Sequence, residues 1–161
     1  MSDPSNFGKI KEKIDKMVSQ KIIEPISSIP DGGIINPANI LIQNDKIRML
    51  LHSKLNVHYN KPKMELRTIN YYIDQLASVN NIIKHDFEQA FYQLPIRPEN
   101  RKLFIFEFEN IYYQYRVLPF GYAASSYFCN GIIKLITDYI CQKHSKFCYN
   151  YLDDVIEEQV Q

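Results

Sequence analysis

The sequence that decides the fold is FCYNYLDDVI, residues 147–156, in which two aspartates stand between two apolar segments. Its aromatic and β-branched residues predict a strand over 147–152, a tight turn at Asp153 and Asp154, and a returning strand that begins at Val155. An acidic pair in a turn is often turn chemistry alone, because Asp hydrogen-bonds its own backbone there. The pair gains functional interest if the fold presents another acid beside it.

A further acid, Asp86, ends a second short apolar strand, which is predicted over residues 82–85. Asp86 could simply cap the turn that follows it. If the two strands are neighbours, the carboxylates converge, and a divalent cation would relieve their mutual repulsion. Carboxylate oxygens as ligands suit Mg²⁺, with Mn²⁺ as an alternative. A pair of such ions favours phosphoryl transfer.

The remaining pattern predicts an α+β domain. Apolar residues recur at helical spacing over 6–20, 65–79 and 123–142, and strand pairs are predicted over 40–51 and 103–117. This order suits an antiparallel sheet with helices packed on one face and the other face free for a ligand. In the third helix we expect these apolar residues to be buried: Phe128, Ile132, Leu135, Ile136 and Tyr139.

Size and charge narrow the class of protein. With 161 residues, of which 45% are hydrophobic, the chain can bury the core of one ordinary domain, but it is too short for a large multidomain enzyme. The net charge of +1 hides a basic segment, because residues 46–67 contain six Lys or Arg against one Glu, whereas every charged residue after Lys146 is acidic. The basic segment could meet phosphates, or it could be an ordinary solvated surface.

Three cysteines at positions 129, 141 and 148 form no metal-binding spacing, and reduced thiols in an intracellular protein are the expectation, with cytoplasm or nucleus left open. Neither a signal peptide nor a run of about 18 apolar residues is visible, so no membrane association is expected.

The motifs resemble those of reverse transcriptases, the RNA-directed DNA polymerases. DFEQAFY (86–92) is similar to their first metal-binding motif, YLDD (151–154) to their second, and LPFG (118–121) to the turn before the palm helix. Residues 22–25 and 48–56 resemble the leading segment and fingers hairpin of gypsy-like and DIRS-like retrotransposons. The similarity spans roughly residues 8–156. It implies one partial domain over 1–161, with an N-terminal helix and fingers-like part over 1–80 and a palm-like part over 81–161, truncated before the thumb.

The resemblance also implies roles for individual residues. Asp86, Asp153 and Asp154 would be the catalytic acids and would bind two Mg²⁺ ions. Arg48 would contact the incoming triphosphate, although without the motif it would pass for an exposed strand residue. Phe91 would be the steric gate that excludes a ribose 2′-hydroxyl, although without the family it would be assigned to the core. The other residues implied near nucleotide, primer or template are Phe87, Phe120, Tyr151, Gly121, Lys46, Lys54, Lys61 and Lys63.

The function implied is template-directed transfer of deoxynucleotides to a primer 3′-hydroxyl. Its partners would be an RNA or DNA template with primer, deoxynucleoside triphosphates, and the remainder of a retroelement polyprotein with thumb and RNase H parts. An RNA-dependent RNA polymerase palm is a competing interpretation, but a polar residue would be expected at position 91. A further alternative is an inactive retroelement relic that at most binds nucleic acid.

Overall fold

The computed structural model describes residues 4–43, 46–60, 64, 69–77, 79, 81–144, 148–152 and 154–158. In chain order its helices and strands are α1 (Pro4–Ser19), β1 (Ile23–Ile26), β2 (Ala38–Gln43), β3 (Lys46–Leu51), α2 (Ile69–Leu76), β4 (Ile82–Asp86), β5 (Ile105–Phe108), β6 (Ile111–Tyr115), α3 (Ser125–His144), β7 (Cys148–Tyr151) and β8 (Asp154–Glu158). Short 3₁₀ helices cover Lys54–Val57, Ala90–Gln93 and Pro98–Leu103.

The chain divides into two compact units. Unit 1 combines Met1–Tyr59 with Phe91–Ser125, and unit 2 combines Asn60–Ala90 with Ser126–Gln161. Each unit therefore uses two separate stretches of chain. The division into fingers-like and palm-like parts stays a prediction about function.

All paired strands are antiparallel, and the α+β class is confirmed. The described strands form three sheets rather than one: β1-β6-β5 and β2-β3 in unit 1, and β4-β8-β7 in unit 2. Both predicted hairpins are present, since β2 pairs with β3 and β5 with β6. Glu109 and Asn110 connect β5 to β6 with φ angles of 52° and 59°, the left-handed geometry that a two-residue hairpin turn requires.

The core of unit 1 lies between α1 and the β1-β6-β5 sheet and extends to β3. Alternation along these strands and the helical spacing in α1 turn one side of each element inward. The ring of Phe7 also stacks on that of Phe108, with centroids 5.9 Å apart. The buried residues of this core include Ile10, Ile14, Met17, Ile23, Met49, Leu51, Phe106 and Tyr115.

In unit 2, α3 packs on one face of the β4-β8-β7 sheet. The side-chain amide of Asn150 on β7 donates to Oδ1 of Asn130 on α3 at 2.8 Å, and the Cys141 thiol donates to the carbonyl of Cys148 at 3.2 Å. The side of α3 that becomes buried carries Cys129, Ile133 and Thr137.

The prediction for the buried side of α3 is wrong. The five apolar residues expected inside the core are exposed by between 42% and 70%: Phe128, Ile132, Leu135, Ile136 and Tyr139. The physical reason is that α3 is apolar around more than one side, so helical periodicity alone does not decide which side faces the sheet.

The second helix is shorter than the range predicted for it. In the structure α2 covers Ile69–Leu76, while residues 65–68 of that range lie outside the described part of the chain. Among the helices that the structure describes, none is long and apolar enough to cross a membrane.

Candidate active site

Asp86 and Asp154 face each other across two hydrogen-bonded strands of unit 2. Asp86 is the last residue of β4, Asp154 is the first residue of β8, and the two are Cα partners in the antiparallel register. Side chains of directly opposed residues lie on the same face of a sheet, with Cβ atoms roughly 4.5–5.5 Å apart. The two carboxylates are therefore neighbours on one face of the sheet.

The acids lie on the face opposite α3. Asn150 and Val155 are Cα partners and mark the helix-covered side, where Val155 is buried. Because side chains alternate along a strand, Asp154 and its partner Tyr151 point to the other side. We call that side the acid face; it carries Ile82, Lys84, Asp86, Tyr149, Tyr151, Asp154, Ile156 and Glu158.

The strand arrangement refines the prediction that the acid-bearing strands are neighbours. β7, which precedes the acids, does not pair with β4, because β8 lies between them. The returning strand β8 brings Asp154 beside Asp86. Although polar at its end, β8 pairs with β4 over Asp154–Glu158 and with β7 over residues 154–157.

The turn that leads into β8 places a leucine in a strained conformation. Leu152 has a φ of 57°, a left-handed value that costs a non-glycine residue about 1–2 kcal/mol. Tyr151 and Asp154 on either side of the turn are paired in the ladder, so the pairing of β7 and β8 holds this geometry. Asp153, the third predicted acid, lies outside the described residues.

Lys84 makes an ion pair on the acid face. Its Nζ lies 3.0 Å from Oδ1 of Asp154, and the two side chains are 60% and 37% exposed. Lys84 stands two residues before Asp86, so strand alternation places both on one face. A second pair links the same strands on the α3 side, where His85 Nε2 lies 3.1 Å from Glu157 Oε1.

The donor atoms of the acid face fit a hard divalent cation. Asp86 and Asp154 supply carboxylate oxygens, the ligands that Mg²⁺ prefers, and Mg²⁺ commonly needs only one or two protein carboxylates. The described residues contain no group of three or more His, Cys, Asp or Glu that could hold a metal ion, and Asp153 is not among them. The pair of acids is thus compatible with the predicted metal.

Unit 1 contains a separate cluster of aromatic rings. The centroid of Phe120 lies 4.8 Å from that of Phe91 and 5.2 Å from that of Tyr92. Burial raises the pKa of Tyr92 to about 12. Burial likewise raises the pKa of Tyr115 well above its usual value.

The turn that carries Phe120 is fixed from two sides. The backbone N–H of Leu51, at the end of β3, donates to the carbonyl of Phe120 at 2.8 Å. Asn56 donates through Nδ2 to the carbonyl of Gly121 and accepts at Oδ1 from the N–H of Ala123, both at 2.8 Å. The sequence interpretation gave Asn56 no role, because both contacts join residues more than 60 positions apart.

Gly121 is required by this packing. Its φ is +96°, and a Cβ built on it would collide with the carbonyl oxygen of Leu51. The structure therefore gives Gly121 a packing role, and its predicted contact with nucleic acid stays a prediction.

The predicted phosphate-binding residues are distributed along unit 1 and beyond. Arg48 is exposed on β3, opposite the exposed Leu41 of β2. Lys54 is exposed at the start of a 3₁₀ helix, and its backbone N–H donates to Asn36 Oδ1 at 2.9 Å. Lys46 begins β3, but its side chain is outside the described part of the chain, as are Lys61 and Lys63 entirely.

Phe87, the remaining predicted nucleotide contact, follows β4 in unit 2 and is half-buried. Tyr151 is 49% exposed at the end of β7, on the acid face. Of the predicted residues that the structure describes, it brings Asp86, Asp154 and Tyr151 together in unit 2, and Phe91 and Phe120 together in unit 1. Lys84 was missed, although strand alternation from Asp86 was a signal that could have found it.

Comparison with known protein families identifies the family of this chain. The family described as reverse transcriptase (RNA-dependent DNA polymerase) matches residues 9–156 of the chain. The chain belongs to the reverse transcriptase family. By family, this reverse transcriptase domain is a nucleotidyltransferase, and the predicted recognition is confirmed at that level. The gypsy-like or DIRS-like subtype stays a prediction.

The domain is also similar to part of a viral protein. The domain is 26% identical over 158 residues to a protein of Cassava vein mosaic virus whose name describes it as an enzymatic polyprotein. The match covers 94% of this chain and 24% of the viral protein. The reverse transcriptase domain thus spans about a quarter of the length of the relative it matches.

Proposed function

We propose that this domain catalyses template-directed addition of deoxynucleotides to a primer 3′-hydroxyl, with Asp86, Asp153 and Asp154 holding two Mg²⁺ ions. The observation that supports it best is the pairing of Asp86 with Asp154 on the sheet face that α3 leaves free. Divalent ions bound there would stabilise negative charge on the attacking and leaving oxygens, and Mn²⁺ could substitute for Mg²⁺.

The reaction is a phosphoryl transfer. The primer 3′-oxygen forms a bond to the α-phosphorus of a deoxynucleoside triphosphate, the bond to the bridging oxygen breaks, and pyrophosphate leaves. The contribution of the protein is to hold carboxylates in fixed positions, which the ladders on both sides of β8 support. Tyr151, exposed on the same face, would lie by the primer terminus.

Nucleotide selection is assigned to unit 1. Phe91 and Phe120 present flat apolar rings that offer a ribose 2′-hydroxyl no hydrogen bond, so a deoxyribose is preferred. Arg48, an exposed fixed cation on β3, would bind the triphosphate oxygens. Phe87 would contribute to the nucleotide site. These assignments are proposals carried by the family motif.

The proposed partners are a primed RNA or DNA template and the remainder of a longer polyprotein. Lys46, Lys54, Lys61, Lys63 and Gly121 would contact template or primer, mostly through phosphate charge, which makes the affinity salt-dependent. Thumb and RNase H parts would be supplied by other segments of that polyprotein, in an intracellular setting consistent with three cysteines that form no disulfide.

The test of the catalytic proposal is primer extension on an RNA template with Mg²⁺. We expect incorporation by the wild-type chain and a loss of at least about 100-fold in Asp86→Asn, Asp153→Asn and Asp154→Asn, because outer-shell changes alone typically cost 10- to 100-fold. Asp138→Asn is the matched control, since Asp138 is an exposed acid on α3 that is paired with Lys134.

Two results would contradict the proposal. Equal extension by wild type and all three acid variants would remove these acids from the chemistry. No extension at any protein concentration, with RNA binding retained, would favour the inactive relic as the function of this chain.

The proposed gate gives a second prediction in the same assay. Phe91→Ala removes the ring beside Phe120, so ribonucleotide incorporation should rise relative to deoxynucleotide incorporation by roughly 10- to 100-fold. Phe91→Tyr keeps a ring and serves as the control, with discrimination retained. Unchanged sugar discrimination in Phe91→Ala would refute the gate assignment.

A further inference from the structure

We propose that Lys84 is the internal counter-ion of the acid face: it pairs with Asp154 when no divalent ion is bound and is displaced when one binds. Lys84 would thereby set the concentration of divalent ion that the domain needs. This inference rests on the proposed function, because it takes the acid face to be the metal site.

Position distinguishes Lys84 from an ordinary surface lysine. It shares β4 with Asp86 and reaches Asp154 on β8, with 3.0 Å between Nζ and Oδ1. Asp86 and Asp154 are directly opposed in the register, so one cation stands beside two of the proposed ligands. An ammonium group there lowers the repulsion between the carboxylates in the same way as a bound metal ion.

The ion pair between Lys84 and Asp154 can be displaced at little cost to folding stability. With 60% of the Lys84 side chain and 37% of the Asp154 side chain exposed, water screens the pair, and such pairs contribute little to folding stability. The long side chain can turn into solvent when a doubly charged ion competes for the same oxygen. Its main effect is therefore on the occupancy of the acid face rather than on the fold.

The chain offers a closely matched control. Lys134 is also 60% exposed and also pairs with an aspartate, with 2.7 Å between Nζ and Asp138 Oδ2, but it lies on α3. Lys134→Met and Lys84→Met change the net charge of the protein equally, and each removes one exposed ion pair within unit 2. Only Lys84→Met removes a cation from the acid face.

The experiment measures Mn²⁺ binding to the full 161-residue chain by electron paramagnetic resonance, which reports free Mn²⁺ without any need for activity. In Lys84→Met we expect the dissociation constant to fall by about three- to tenfold, as the Coulomb interaction of a single charge with a divalent ion at several ångströms predicts. Lys134→Met should bind as wild type. Lys84→Arg, which keeps the charge, should restore the wild-type value.

The outcomes separate this inference from the proposed function. Unchanged or weaker binding in Lys84→Met, with binding still lost in Asp86→Asn and Asp154→Asn, overturns the counter-ion role and leaves the metal site in place. No binding in wild type and none in Lys84→Met overturns both. Binding that appears only in Lys84→Met supports the inference most strongly, because the lysine would then keep the site closed to the ion.

Discussion

The backbone geometry of Gly121 helps to position a side chain that is proposed to contact the nucleotide. It allows the turn after Phe120 to approach the carbonyl of Leu51 closely, and Asn56 holds the same turn through two hydrogen bonds. The ring of Phe120 is thereby placed against Phe91. The resemblance to the family implied a contact of Gly121 with nucleic acid. Its packing role could not be predicted from the sequence.

Replacing Gly121 by Ala should destabilise the protein by about 2 kcal/mol or more. The new Cβ would meet the Leu51 carbonyl, and the positive φ of +96° disfavours any L side chain. Gly131→Ala is the control with the opposite sign: Gly131 lies in α3, nothing stands within 4 Å of its Cβ position, and alanine favours a helix by up to about 1 kcal/mol. Thermal unfolding followed by circular dichroism measures both, and a Gly121→Ala midpoint equal to that of wild type would disprove the packing role.

Helices and strands could be located from the sequence, whereas their buried sides could not always be assigned. Alternation predicted both hairpins of unit 1, and the apolar runs predicted the three strands of unit 2 within a few residues. In α3, however, a periodicity argument favours the large apolar residues, whereas the sheet receives Cys129, Ile133 and Thr137. Because α3 is apolar on more than one side, its own sequence does not decide which side packs on the sheet.

Part of the candidate site could likewise be predicted from the strands, and part of it could not. The acids were predicted because each ends or begins an apolar strand, and register then makes Asp86 and Asp154 partners. That β8 rather than β7 is the neighbour of β4 depends on strand order, which short strands do not specify. The contacts of Asn56 and Asn36 could not be predicted either, because each joins residues more than 60 positions apart in the chain.

At the scale of the whole molecule, charge is nearly balanced but unevenly placed. The net charge is +1, while residues 46–67 carry six basic residues and the segment after Lys146 carries only acidic charges. An acidic segment beside phosphates would repel them unless cations intervene. The basic segment attracts phosphates whatever the base sequence of the nucleic acid. Affinity for nucleic acid should therefore depend on the basic segment and fall with salt.

This expectation gives a prediction for binding of a labelled RNA template with a DNA primer, followed by fluorescence anisotropy over a range of KCl concentrations. Each lysine that neutralises a phosphate contributes about −0.7 to −0.9 to the slope of log affinity against log salt. Lys54→Gln should make the slope shallower by about that amount, because Lys54 is exposed in the basic segment. Lys134→Gln, which removes an equally charged but Asp138-paired lysine from α3, should leave the slope unchanged. Equal changes in both variants would show that net charge, and not a binding surface in residues 46–67, determines the affinity.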